Sequence, residues 1–203
     1  KVNEVLKRLR AANKELKNMK GKVTYTKAIP LLEEKRTCKG SLRFMPPDHM
    51  HLKLGDPRNE EVITDGKIWL VIDHGAKQVE RYRVTKDQKQ NQEAAFLSFG
   101  YGGNIDELKK GYDIKLVETK EKDEVTLWRL RFNPKKEAGP TRFSQVETVI
   151  SSKRNLPVEI KLYESEGEME HTFALSEIKL NTDMEKKDFD LSLPKGFAVI
   201  DPD

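Results

Sequence analysis

The chain has 203 residues, 36% of them hydrophobic and 35% charged, with a formal net charge of +4. Basic and acidic residues are interleaved, as in Lys115–Lys122, and aromatics make up only 7%, which excludes the basic, base-stacking surface of a nucleic-acid binder. The single cysteine, Cys38, excludes an internal disulfide and a cysteine-based metal site, and no apolar run is long enough to cross a bilayer as a helix.

In chain order, the first element is an amphipathic helix. Val2, Val5, Leu6, Leu9, Ala12, Leu16 and Met19 fall at helical spacing, with Glu4, Lys7, Arg8, Lys14 and Lys17 opposite, and Lys20-Gly21 reads as its stop. A meander of short alternating runs follows: Lys22–Ile29, Glu33–Met45, His49–Leu54, Glu61–Asp65, Lys67–Asp73 and Gln78–Val84. Asp65-Gly66 between two β-branched runs predicts a hairpin of type I′. Cys38, Gly40, Leu42 and Phe44 share one face, as do Met50, Leu52 and Leu54, while His49, His51 and Lys53 point the other way. The hydrophobic fraction suits a single curved sheet with one wetted face.

The alternation breaks at Thr85. Gln88–Leu97 reads as helical, with Phe96, Leu97, Phe99 and Tyr101 bunched at its end and glycines following. Asn104 caps a second short helix through Lys110, closed by Gly111. An insert with a bulky tip and glycine hinges reads either as a lid or as a core plug. Strands resume at Tyr112–Glu118, Val125–Phe132, Phe143–Ser151, Leu156–Tyr163 and Glu170–Leu180, with a bulge expected near Ser176-Glu177 where the parity changes. These elements predict one α+β domain over residues 1–203, with roughly eleven antiparallel strands. The sequence begins at Lys1 rather than at methionine, so a signal peptide or lipoprotein leader removed upstream is expected.

Catalytic constellations are missing from the sequence. There is no nucleophile elbow and no phosphate loop, and Gly100-Tyr101-Gly102-Gly103 lacks the lysine a phosphate loop needs. His49-x-His51 places two imidazoles on one side of a strand without a third ligand at informative spacing. Cys38 falls on an apolar face, where a thiol is inert packing. The expectation is a binding protein without cofactor or metal, not an enzyme.

The run Gly40-Ser-Leu-Arg-Phe-Met-Pro-Pro, then Ile63-Thr-Asp-Gly-Lys-Ile-Trp69, then Asp73 and Gln78-Val79, resembles the periplasmic outer-membrane lipoprotein carrier (LolA) family. The ending Asp188-Phe-Asp-Leu-Ser-Leu-Pro-Lys-Gly-Phe197 resembles that family's closing Phe-x-x-x-x-Pro-x-Gly strand, and Pro46 stands where the carriers have an arginine tied to lid closure. The resemblance implies an unclosed β-barrel, a half-barrel with an N-terminal helix and a helical lid insert, whose apolar cavity accepts acyl chains of lipoproteins or lipids. It further implies the periplasm, transport toward the outer membrane, an inner-membrane extractor and an outer-membrane receptor as partners, and a monomer.

On that basis Leu42, Phe44, Met50, Leu52, Trp69 and Val71 are expected as cavity wall, with Trp128 and Leu130 from the second meander. Phe96, Leu97 and Phe99 are expected as lid. The alternative, from a different class, is an envelope-stress or scaffold module of the same fold with a filled interior and a protein partner.

Overall fold

A computed structural model of the chain describes residues 1–83, 101, 104–136, 142–164 and 167–201. Twelve strands form one sheet in the order β12-β6-β5-β4-β3-β2-β1-β11-β10-β9-β8-β7, and the two end strands do not pair with each other, so the sheet is unclosed. The strands are β1 (Met19–Ile29), β2 (Glu34–Met45), β3 (His49–Leu54), β4 (Glu60–Asp65), β5 (Ile68–Asp73), β6 (Gln78–Arg83), β7 (Tyr112–Lys122), β8 (Val125–Pro134), β9 (Phe143–Ser151), β10 (Leu156–Glu164), β11 (Glu170–Leu180) and β12 (Ala198–Ile200). Pairing is antiparallel from β2 to β6 and from β7 to β11, whereas β12 lies parallel to β6. The helices among the described residues are α1 (Val2–Glu15) and α2 (Ile105–Gly111). The chain's contacts fall into two compact units: one of residues 1–15, 26–36 and 90–175, the other of residues 16–25, 37–89 and 176–203.

In the first unit, α1 buries Val5, Leu6 and Leu9 and contacts β7 and β10. Asn104 caps α2 as its sequence predicts, accepting hydrogen bonds from the backbone N–H groups of Asp106 and Glu107. Arg10 of α1 pairs with Asp106 of α2, and Lys109 Nζ donates to Asn3 Oδ1 at 3.2 Å. The β7–β8 turn is Asp123-Glu124, both in the left-handed region at φ 49° and 61°. Both central residues of a mirror-image two-residue turn have this sign, here without the glycine that signals such turns in a sequence. Strand β7 accordingly runs past Glu118, where its sequence pattern fades.

In the second unit, α1 has already ended. The expected stop at Lys20-Gly21 is replaced by a strand start at Met19. The reason lies at the end of β11. Asn18 Nδ2 donates to the Thr182 carbonyl and Asn18 Oδ1 accepts from the Thr182 N–H, both at 2.8 Å, so the side chain mimics a ladder rung. Asn181 Oδ1 in turn accepts from the Lys17 N–H at 2.8 Å. Gly21 is then a strand glycine at a close approach: a Cβ there would stand 3.0 Å from the Ser176 carbonyl oxygen. Glu177, at φ 50°, carries the change of parity expected within β11.

The Asp65-Gly66 hairpin forms, but one residue on from the predicted type I′ turn. Only Gly66 takes a positive φ, 84°, and Asp65 Oδ1 accepts the N–H groups of Lys67 and Ile68 at 2.8 and 2.9 Å. The aspartate acts as an Asx cap on the turn instead of sitting inside it.

Two further expectations are corrected here. Residues 189–197 do not form a closing strand; the strand is Ala198–Ile200, held beside β6 and anchored by Arg81 Nε to Asp201 Oδ1 at 2.6 Å. Nor is the second face of this meander uniformly wetted. Ile63, Leu70, Ile72 and Val79 form a buried cluster on it, with Leu191 and Phe197 packed against them. Apolar residues on both faces are what the unbroken run Ile68-Trp69-Leu70-Val71-Ile72 encodes. The predicted helix Gln88–Leu97 lies outside the described residues.

Candidate functional site

Register fixes which side chains share a face, because directly paired residues project to the same side. In the second unit, Leu42, Leu52, Val62 and Val71 form one row across β2 to β5, and Phe44, Met50, Thr64 and Trp69 form the next. All six expected wall residues of β2, β3 and β5 therefore lie on one face. Leu42, Phe44, Met50 and Leu52 are fully buried, Trp69 is buried, and Val71 is half-buried. Thr64, the polar member, satisfies its hydroxyl locally by accepting the Gly66 N–H at 3.0 Å. The rows end at β6 in polar residues, where the Tyr82 hydroxyl donates to Glu80.

In the first unit, Trp128, Leu130 and Phe132 share a face with Ile150, Thr148 and Val146, which β9 sets directly opposite. Ile160 and Leu162 on β10 and Phe173 on β11 extend it, all fully buried. Leu130 is buried within it, while Trp128 is half-buried with the Arg8 guanidinium 5.6 Å from its ring centre. Tyr101, also expected at the tip of the insert, is 1% exposed and its hydroxyl donates to the Pro157 carbonyl; burial pushes its ionisation far above the usual phenol range. Phe96, Leu97 and Phe99 lie outside the described residues.

The opposite face of this unit is ionic. Glu147, almost fully buried, takes Arg129 Nη1 at 3.3 Å and Arg131 Nη2 at 2.9 Å, and Arg129 also reaches Glu118 and Glu159. The two faces divide the labour: one sheds water, the other keeps the strands soluble and in register.

A polar cluster interrupts the apolar face near the β10–β11 turn. Glu164 Oε1 accepts from Arg142 Nη2 at 2.6 Å and pairs with His171 Nε2 at 2.9 Å. Burial raises the Glu164 carboxyl, but hydrogen bonds from His171 and Arg142 outweigh it and hold the group below its ordinary range. Truncation by Glu164→Ala takes this carboxylate away from the buried imidazole and from a guanidinium that is itself partly exposed. The expected result is a loss of about 2 kcal/mol at neutral pH, read from the urea midpoint, with Glu164→Gln losing less.

Three of the four histidines gather on the second face of the other unit. Glu61 takes Lys53 Nζ at 2.7 Å, His51 Nε2 at 2.9 Å and His74 Nε2 at 3.0 Å. His49 bonds Asp48 and meets the Phe189 ring edge-on at 5.5 Å; His74 meets Phe197 likewise at 5.7 Å. The His49-x-His51 pair thus diverges onto separate carboxylates. Sequence reading missed the Glu61 cluster because Glu61 lies on β4 and His74 in the β5–β6 turn, with no periodic relation. Cys38 is buried as expected, and burial pushes its thiol up against a smaller opposing influence of Arg58.

A meander whose rows stay uncharged across four strands, with Thr64 the one polar member, matches what the motifs around Gly40 and Asp65-Gly66 imply. The family described as outer membrane lipoprotein carrier protein LolA matches residues 15–192. The chain belongs to the LolA family. No curated protein matches it. Among solved structures, an uncharacterised conserved protein from Thermus thermophilus is 12% identical, aligned over 98% of each chain with a TM-score of 0.62. A domain from Vibrio parahaemolyticus assigned to outer membrane lipoprotein sorting is 10% identical over 92% of this chain and 95% of its own, with a TM-score of 0.50. The Pseudomonas aeruginosa MucA/MucB complex contains a chain 14% identical over 94% of this one and 61% of its own, with a TM-score of 0.52. At these identities the likeness shows the fold: an unclosed, mostly antiparallel sheet with an N-terminal helix, as the LolA resemblance implies.

Proposed function

We propose that this LolA-family chain is a periplasmic carrier that shields acyl chains of lipoproteins or lipids in transit toward the outer membrane, and that it binds without converting its cargo. The observation that carries the reading is the pair of apolar rows Leu42-Leu52-Val62-Val71 and Phe44-Met50-Thr64-Trp69, unbroken by any charge. An acyl chain of about sixteen carbons gains on the order of 12 kcal/mol on leaving water, at roughly 0.8 per methylene. A protein that moves such chains through an aqueous compartment must hide them and also release them. The wall here is buried without cargo, so an incoming chain replaces protein contacts with similar ones, and the net gain stays small enough for release. Leu42, Phe44, Met50, Leu52, Trp69 and Val71 are the proposed wall residues of one unit and Trp128 and Leu130 those of the other, and Phe96, Leu97 and Phe99 are proposed as further cargo-contacting residues. The partners on this reading are an extractor at the inner membrane and a receptor at the outer membrane, with the carrier acting as a monomer.

The test uses the two tryptophans the chain contains, Trp69 and Trp128. A dibrominated fatty acid quenches an indole only on near contact. Saturable quenching in the wild type, retained in part by W69F and by W128F, is the expected result. W128D, at a half-buried position, should weaken binding about tenfold or more while the melting temperature falls by only a few degrees. Unquenched fluorescence in the wild type would remove the carrier reading.

A second reading is a scaffold or envelope-stress module that binds a protein partner. Full burial of Leu42, Phe44, Met50, Leu52 and Leu130 favours it, since a filled interior gives the same burial.

A further inference from the structure

The β1–β2 connection departs from every other turn described above. The turns at Asp123-Glu124, Gly66-Lys67 and Ser152–Asn155 carry no apolar side chain. Here the connection is Pro30-Leu31-Leu32, a single 3-10 turn closed by Glu33 at φ 54°, whose N–H reaches the Pro30 carbonyl at 3.1 Å. Leu31 is 89% exposed and Leu32 61%, the two greatest exposures of any large hydrophobic residue described. Residues 30–37 are exposed without a break, so the tip stands clear of the surface around it.

We infer that this tip is a membrane-contact element that inserts Leu31 and Leu32 into the interface of an anionic bilayer. Charge supports the choice of partner. From Met19 to Lys39 the sequence carries Lys20, Lys22, Lys27, Lys35, Arg36 and Lys39 against Glu33 and Glu34, an excess of four. That equals the net charge of the whole chain, +4, so the remainder is balanced and the surplus belongs to this hairpin. Glu34 is partly neutralised by Arg36, 3.6 Å away, while Lys22 is engaged by Glu177. Lys27, Lys35 and Arg36 lie within a few residues of the leucines.

Size argues in the same direction. A stable protein interface needs about 800 Å² from each side, which two leucines on one turn do not supply. A bilayer asks for less. A few apolar side chains reach headgroup depth and basic residues behind them meet anionic lipid, giving weak and reversible attachment. The inference stands apart from the cargo reading, since the tip takes no part in the proposed wall.

The test is sedimentation of the chain with phosphatidylcholine vesicles containing about 30% phosphatidylglycerol, against phosphatidylcholine alone. The wild type should sediment with the anionic vesicles and dissociate as salt is raised. L31S/L32S should bind at least about tenfold more weakly, with an unchanged melting temperature because both side chains are already in water. K35E/R36E should lose the preference for anionic vesicles. Dibrominated fatty acid should quench L31S/L32S as it does the wild type, which separates membrane contact from cargo binding. A wild type that stays in the supernatant, or an L31S/L32S variant that binds equally well, overturns the inference. So does a wild type that ignores vesicles but forms dimers dependent on the leucines, which would make the partner a second copy.

Discussion

Replacing Gly40 with alanine is expected to lower stability by about 3 kcal/mol, or roughly 6–12 °C in melting temperature for a chain of this size. Gly40 pairs with Leu54 in the β2–β3 ladder. A Cβ there would stand 2.0 Å from the Lys53 carbonyl oxygen, 3.0 Å from its carbon and 3.1 Å from the Leu54 Cα. All three atoms are backbone, so no side chain can swing aside. The strands would have to part, and the next pair on the same face, Leu42 and Leu52, is fully buried and would be drawn out of its packing. Gly167 makes the control. It has φ +71° but nothing within 4 Å of its missing Cβ, so Gly167→Ala is expected to cost about 1 kcal/mol or less. Urea or thermal midpoints of the two variants distinguish a steric from a merely conformational glycine. An unchanged midpoint for Gly40→Ala would contradict the β2–β3 register, and with it the apolar rows on which the proposed wall rests.

The second large effect is at acid pH. Glu61 is 12% exposed and surrounded by Lys53, His51 and His74. Burial raises its carboxyl, but hydrogen bonds and charge from Lys53 and His51 outweigh this and bring it from 4.5 to about 2. A carboxyl lowered by folding contributes stability that is complete above its unfolded value and is lost as pH falls through the folded one. The loss therefore begins below pH 4.5 and is nearly complete at pH 2. It should amount to about 2 kcal/mol, after allowance for screening at the exposed Lys53 ammonium. Asp65 and Glu164 are lowered in the same direction and add to the slope. In Glu61→Gln the share of Glu61 disappears, so the variant should be weaker at neutral pH and flatter between pH 4.5 and 2. A variant with the wild-type slope would show that the ionised carboxylate contributes nothing. Because Lys53, His51 and His74 come from β3 and the β5–β6 turn, weakening there loosens the same strands that carry the proposed wall on their other face.

How much of this was legible in the sequence depended on how local the signal was. The meander was readable because period-2 alternation is a property of a few neighbouring residues; β3, β9 and β11 begin and end where that alternation does. Asn104 was readable for the same reason, since a cap acts over three residues. The end of α1 was not, because it is decided by Asn181 and Thr182, more than 160 positions away, which recruit Lys17 and Asn18. The 189–197 segment carries strand-like residues, but Phe189, Leu191 and Phe197 are spent on contacts with His49 and the Ile63 cluster instead of a ladder. That choice depends on the second face of β4–β6 being apolar, which only the unbroken Ile68–Ile72 run hinted at. The apolar positions proposed as wall were chosen by parity, and the register places six of them on one face. The Glu61 and Glu164 clusters join residues of different strands and left no periodic trace.

The apolar faces are proposed to hold acyl chains. Native mass spectrometry of the purified protein, followed by solvent extraction of whatever is bound, tests it most directly. The account predicts an added mass released as phospholipid, fatty acid or lipopeptide, or taken up on incubation with a diacylated lipopeptide. A mass that stays that of the bare chain after such incubation would contradict it and leave the interior a closed core.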